Sequence, residues 1–225
     1  MKEVKEAKMS KKELTRRYLL FVISLFISAL GVAITKKGEL GVSPISSVAN
    51  ALSMQFSFLT LGNWLIIWNC VLILGQILLM KRKFQLIQLL QIPLSLLFGY
   101  FTDFGMWLMS LFEIDGYIIR IIFVIIGTLV LGFGISLSVI ANVVMNSGEA
   151  FVKALADSLH KNFGNLKVFF DVSCVVTAVI LSLVFFNMKI EGTREGTIVA
   201  ALLTGIVVKF YLKFLNKPLD KLLTR

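Results

Sequence analysis

Six long apolar runs dominate this chain, at about residues 18–36, 60–80, 86–111, 117–141, 166–187 and 196–215. A helix of about 20 such residues covers about 30 Å of hydrocarbon, at a rise of about 1.5 Å per residue. Lipid offers no partner to a backbone N–H or C=O, so a crossing segment must close its hydrogen bonds internally. Unbroken apolar runs of this length do that as helices, whereas the strands of a membrane barrel are shorter and alternate polar with apolar. The runs therefore predict an all-α polytopic membrane protein with six transmembrane helices. Composition agrees. Charged residues make up 16% of the 225-residue chain and the mean hydropathy is +0.88, against about 25% charged residues in soluble domains. A disordered, collagen-like or disulfide-built chain is excluded. The basic stretch before the first run resembles the start of a signal peptide. However, the run is of span length and no small-residue cleavage pattern follows it, so it reads as the first transmembrane helix.

The net charge of +10 is explained by where the charges fall. With the N-terminus cytoplasmic, the inner segments hold 18 Lys and Arg and the outer ones hold 5. That bias is the positive-inside pattern, and it predicts both termini in the cytoplasm. A basic inner rim faces anionic lipid, so the lipid bilayer is the expected partner and nucleic acid is not. Residues 1–17 form a basic N-terminal segment and 216–225 a basic tail.

Two connections, residues 37–59 and 142–165, are too long for turns and too apolar for solvated loops. Each holds a short helical pattern, at about 44–56 and 147–159, too short to span. Segments of that size are re-entrant or interfacial helices. The two halves, 18–111 and 117–215, also look like copies. Leu61-Gly62-Asn63 matches Phe163-Gly164-Asn165, Leu30-Gly31 matches Leu131-Gly132, and Ala51-Leu52 matches Ala154-Leu155. Three spans per half is an odd number, so the second copy is inverted in the bilayer. The expected fold is two inverted three-span repeats, each with one short helix.

The starts of the short helices carry the candidate site. Ser43-Pro44 and Asn146-Ser147 are good cap sequences, and Glu149 falls in a first turn, where the helix dipole favours an anion. Helix starts meeting near the midplane would present backbone N–H groups to a solute. The candidate substrate-binding residues are Ser43, Ser46, Ser47, Asn50, Asn69, Asn146, Ser147 and Glu149. The candidate carriers of a coupling ion or proton are Asp103, Asp171 and Glu149, because carboxylates at membrane depth are costly and face a cavity or a partner. Each has a plainer reading beside it: ordinary caps on interfacial helices, Asp103 at the outer interface, and Asp171 paired with Lys167 one turn away. His160, the only histidine, sits in a polar stretch at the cytoplasmic edge. Cys70 and Cys174 lie within apolar runs. No nucleophile, zinc or phosphate-loop motif is present, so neither an enzyme nor a metal or cofactor is expected.

Arg16-Arg17-Tyr18, Gly31 and Leu40-Gly41-Val42-Ser43-Pro44 carry a resemblance to the YczE/YyaS/YitT family of bacterial membrane proteins, with Gly196-Thr197 before the last span also familiar. The resemblance covers about residues 14–215. It implies multi-span proteins of the bacterial cytoplasmic membrane with no settled substrate. Many members have an aromatic residue and an aspartate after the proline. Here Ile45 and Ser46 stand instead, so no role of that aspartate carries over. The leading expectation is a transporter or binder of an unknown small solute. The alternatives are a substrate-binding subunit docked on an energising module through Ala29-x-x-x-Ala33, and a non-transporting accessory protein. The small-residue stripes are also compatible with a homo-oligomer or a protein partner.

Overall fold

The computed structural model describes residues 10–224. Among them are eight α-helices and no strand: α1 (Lys11–Lys37), α2 (Pro44–Gln55), α3 (Leu61–Met80), α4 (Gln91–Ser110), α5 (Tyr117–Ala141), α6 (Ser147–Leu159), α7 (Phe163–Phe185) and α8 (Glu195–Leu223). Two short 3-10 turns, Lys81–Lys83 and Leu86–Leu90, lead into α4. All but α2 and α6 are long and apolar enough to cross a membrane. The protein is a multi-pass membrane protein.

The repeated Gly-Asn motifs fall in the first turns of α3 and α7. Thr60 Oγ1 accepts from the Asn63 N–H at 3.1 Å, and Asn162 Oδ1 accepts from the Gly164 N–H at 2.8 Å. Both are side-chain N-caps that satisfy orphan donors.

The centre of the bundle is the α1–α5 pair. The two helices run antiparallel, with Gly38 beside Arg120 at one end and Arg17 beside Ile140 and Ala141 at the other. The end where α1 begins is called proximal here and the other distal. Small residues line the crossing. A Cβ on Gly31 would stand 2.6 Å from Leu131 Cα, and one on Gly134 would stand 2.6 Å from the Ser28 nitrogen. Hydroxyls on this face bond within their own helix, Thr35 to the Gly31 carbonyl at 2.7 Å and Ser24 to the Phe21 carbonyl at 2.6 Å. The buried face is thus smooth, and these hydroxyls are paired without reaching across it.

The other helices attach in matched pairs. α4 packs along α1 and α8 along α5, each parallel to its neighbour. α2 packs on α7 and α3, and α6 packs on α3 and α7. One pair breaks the match: α3 and α4 pack closely, with Gly62 against Gly99, whereas α7 and α8 make no comparable contact. Gly205 on α8 has open space around it.

Several boundaries differ from the sequence reading. Of the basic segment expected over 1–17, residues 1–9 lie outside the described residues. From Lys11 onward it is already helix, capped by Ser10. Arg17 is almost fully buried there, bound to Glu13 at 2.9 Å, to Asp220 at 2.7 Å and to the last carbonyls of α5. The tail expected from 216 continues α8 through Pro218 to Leu223, held by the same Asp220 contact. The two short helices fall at 44–55 and 147–159. Ala29 and Ala33, the expected docking face, are fully buried inside the bundle, with Ala33 against Gly105.

Gly31→Ala is expected to lower stability by about 1–3 kcal/mol, because the new methyl meets backbone and not a flexible side chain. Gly205→Ala is expected to leave it unchanged. Thermal unfolding of the two purified variants checks both.

Candidate functional site

α2 and α6 lie between α3 and α7 with their starts facing each other and their ends turned to opposite ends of the bundle. Phe56, just past α2, meets Phe185 edge to face at the distal end of α7, with ring centroids 5.4 Å apart. α6 runs out to His160 at the proximal end. The contact between the starts is Ile45 against Gly148, where an added Cβ would stand 2.9 Å from Ile45 Cδ1. Each start is pinned to its flanking spans. Ser47 Oγ donates to the Pro44 carbonyl at 2.6 Å and lies 3.3 Å from the Cys174 carbonyl, midway along α7. Ser147 Oγ bonds Ser95 Oγ at 3.2 Å, and its carbonyl accepts from Gln76 Nε2 at 3.3 Å. Gln76 and Gln91 exchange amide bonds at 2.9 and 3.2 Å, which joins α3 to the start of α4.

The sequence reading expected one polar site where the starts meet. The structure divides it. Ile45 packs with Val48, Leu72, Val152, Phe170 and Cys174, so the junction itself is apolar. Two polar clusters flank it. On α2, Ser43 bonds Ser46 at 2.9 Å, and Ser46 and Ser47 are buried. On α6, Asn146 faces Glu149, and the Lys167–Asp171 pair, 2.6 Å apart, lies close by. Burial pushes the Glu149 carboxyl above the usual carboxylate range, and the Lys167 ammonium opposes that rise. Asn69 stands half-buried on α3 with no side-chain hydrogen bond among the described residues. Asp103 belongs to neither cluster. It holds the start of α3, accepting from Thr60 Oγ1 at 2.6 Å and from the Gly62 N–H at 2.8 Å. That is a capping carboxylate.

Two cavities open beyond the clusters, one at each end. The proximal cavity, about 340 Å³, is lined by the 3-10 turn before α4, the α5–α6 connection, and Lys153 and Asp157 of α6. The distal cavity, about 580 Å³, is lined by the end of α1, Asn50 and Met54 of α2, Arg120, and the α7–α8 loop. Asn50 and Met54 stand to Lys153 and Asp157 as Ala51-Leu52 stands to Ala154-Leu155, so the cavities occupy matching places beside the two short helices. The sequence reading had Asn50 as a site residue but missed Lys36 and Arg120, which it took only as outer charges. The one available signal was Lys36-Lys37 next to an apolar connection too long for a turn.

The Leu-Gly-x-Ser-Pro segment and Gly196-Thr197 also meet here. The Gly196 N–H donates to the Leu40 carbonyl at 2.9 Å, and the Val42 N–H donates to Thr197 Oγ1 at 3.3 Å. Gly41, at φ +127°, has no room for a side chain beside Thr197. These segments fasten the start of α8 to the strap that leads into α2.

The model of a family of unknown function, DUF6198, matches residues 15–213. The uncharacterized membrane protein YczE of Bacillus subtilis (strain 168) is 29% identical over 204 residues, covering 90% of this chain and 88% of that protein. No solved structure matches.

The raised Glu149 carboxyl has a measurable consequence. Above the ordinary carboxylate range the folded protein holds a proton that the unfolded chain has released. Stability is therefore greatest below that range and falls as pH rises through the folded-state value. Glu149→Gln is expected to raise the unfolding midpoint at neutral pH and to flatten its decline with pH. Unfolding curves over a pH series compare the two proteins.

Proposed function

The chain belongs to the family of unknown function DUF6198, and from that premise and the geometry above we propose that it is a carrier of a small solute in the bacterial cytoplasmic membrane. Its two halves are inverted repeats, and both termini are cytoplasmic. The observation that carries this reading is the pair of matched cavities at opposite ends, each beside one short helix, with the Ile45–Gly148 contact between them. A solute path through a membrane protein needs a polar cavity on each side and a barrier that is not open to both at once. Polar groups at membrane depth are tolerated where they line such a cavity. The matched packing of α1–α4 with α5–α8, and of α2–α7 with α6–α3, supports the inverted-repeat plan. The distal cavity then faces outward, because the charge bias puts the start of α1 inside.

In this scheme Ser43, Ser46, Ser47 and Asn50 serve the outer side. Asn146, Ser147 and Glu149 serve the inner side, and Glu149 with Asp171 and Lys167 is the group that changes charge during the cycle. Asn69 adds a polar group on α3. The buried Ala29 and Ala33 weigh against docking through that face, so the scheme needs no separate energising subunit.

The test places single cysteines in a background with Cys70 and Cys174 replaced. A membrane-impermeant thiol reagent is expected to label Met54→Cys in intact cells and Asp157→Cys only in inverted vesicles. Labelling of both positions from the same face would overturn the reading.

A further inference from the structure

The lining of the distal cavity includes a residue with a buried polar atom that no described residue satisfies. Asn50 is fully buried, and its Nδ2 donates to the Gly192 carbonyl at 2.7 Å. A carbonyl can only accept, so this bond fixes the amide nitrogen toward Gly192. It leaves Oδ1, on a residue that lines the cavity, accepting from no described residue. Thr193, next along the loop and 4% exposed, also leaves its Oγ1 unpartnered. Buried side-chain oxygens are rarely left this way, and an unpaired acceptor calls for a donor from whatever fills the space.

The charges around the same cavity ask for the opposite kind of group. Arg120 is engaged by Glu39, and Arg194 lies 3.3 Å from Glu195. Lys36 and Lys37 form no ion pair among the described residues, and Glu191 is the one other carboxylate on the lining. The balance is an excess of positive charge at the wall formed by the end of α1. Met54, Met106 and Met109 supply a flexible apolar wall between the two polar regions. The volume of about 580 Å³ lies within the range of about 300–1,000 Å³ typical of small-molecule sites.

We propose that the distal cavity binds a small carboxylate that carries its own N–H or O–H donor, an amino acid or a hydroxy acid. The donor bonds Asn50 Oδ1, the carboxylate meets Lys36, and the short stem lies on the methionines. An inorganic anion without a proton, such as nitrate, would face the lone pairs of Asn50 with lone pairs of its own. A simple amine would meet Asn50 but place its charge against the lysines. Only a ligand with both functions satisfies both regions. This names the solute class of the proposed carrier and rests on that reading for passage across the membrane, not for binding.

The purified full-length protein is tested by thermal unfolding with millimolar common amino acids, lactate and malate. Butyrate, butylamine and nitrate are the stripped counterparts. At least one amino or hydroxy acid is expected to raise the midpoint, and none of the stripped probes is. Asn50→Leu and, separately, Lys36→Gln are each expected to weaken that ligand about tenfold, the loss of one hydrogen bond or charge contact. Lys36→Gln removes no contact that holds the fold, so it keeps the test open if Asn50→Leu does not fold. No shift with any amino or hydroxy acid overturns the proposal. An equal shift with butyrate or nitrate does so too, as does a ligand indifferent to both substitutions. Proteoliposome uptake separates this from the carrier reading. A ligand bound through Asn50 but never taken up overturns the carrier and leaves the site standing. A solute taken up regardless of Asn50 and Lys36 overturns the site and leaves the carrier standing.

Discussion

The close approach of the α1 and α5 backbones is the constraint on which the remaining helices depend. Apolar side chains alone cannot drive helix association in lipid, because acyl chains are as apolar as leucine. Close backbone packing can, and it needs Gly31 of α1 against Leu131, Gly127 of α5 against Thr35, and Gly134 of α5 against Ser24 and Ser28. Once this pair is set, it supplies two equivalent outer faces, one for α4 and one for α8. It also fixes which end of each half lies where. The connections leaving α1 and α5 emerge at opposite ends, and that is why the short helices enter from opposite directions and meet head to head.

Polar groups inside the bundle are handled in two ways. Most are consumed by the structure: Ser47, Ser147, Gln76, Gln91 and Asp103 all bond carbonyls, caps or one another. A buried polar group pairs this way because leaving it unpaired costs about 1–3 kcal/mol. Against that background the exceptions stand out. Four buried side-chain atoms lack a partner among the described residues: Asn50 Oδ1 and Gln88 Oε1, whose residues line the two cavities, and Trp68 Nε1 and Thr193 Oγ1, whose residues line neither.

Much of the fold was legible in the sequence, because span length and backbone self-satisfaction leave few choices for apolar runs. The short helices were legible too, since Ser43-Pro44 and Asn146-Ser147 are start signals that act locally. Helix ends were less so. Residues 11–17 and 216–223 are polar in sequence, yet both are helical because Arg17 and Asp220 bind each other across the bundle, a contact no local pattern encodes. The same limit applies to the site. Asp103 reads as a membrane carboxylate with a free hand, and only the arrival of the α3 start beside it makes it a cap. Ile45 reads as one apolar residue among many, and only the opposing Gly148 makes it the barrier between the polar clusters. Lys36 and Arg120 are far apart along the chain and become neighbours only through the antiparallel α1–α5 pair.

The missing α7–α8 contact changes what the second half rests on. α4 is held along its length by α1 on one side and α3 on the other. α8 is fastened at its start by Leu40 and Val42, near its end by Arg17, and along one side by α5. Its remaining apolar surface, Ile198, Leu202 and Ile206 among it, is exposed. In a bilayer, acyl chains occupy the place beside α8 that α3 fills beside α4. The angle of α4 is therefore set by protein. The angle of α8 is set partly by lipid, whose thickness and packing become mechanical properties of one half of the molecule and not of the other.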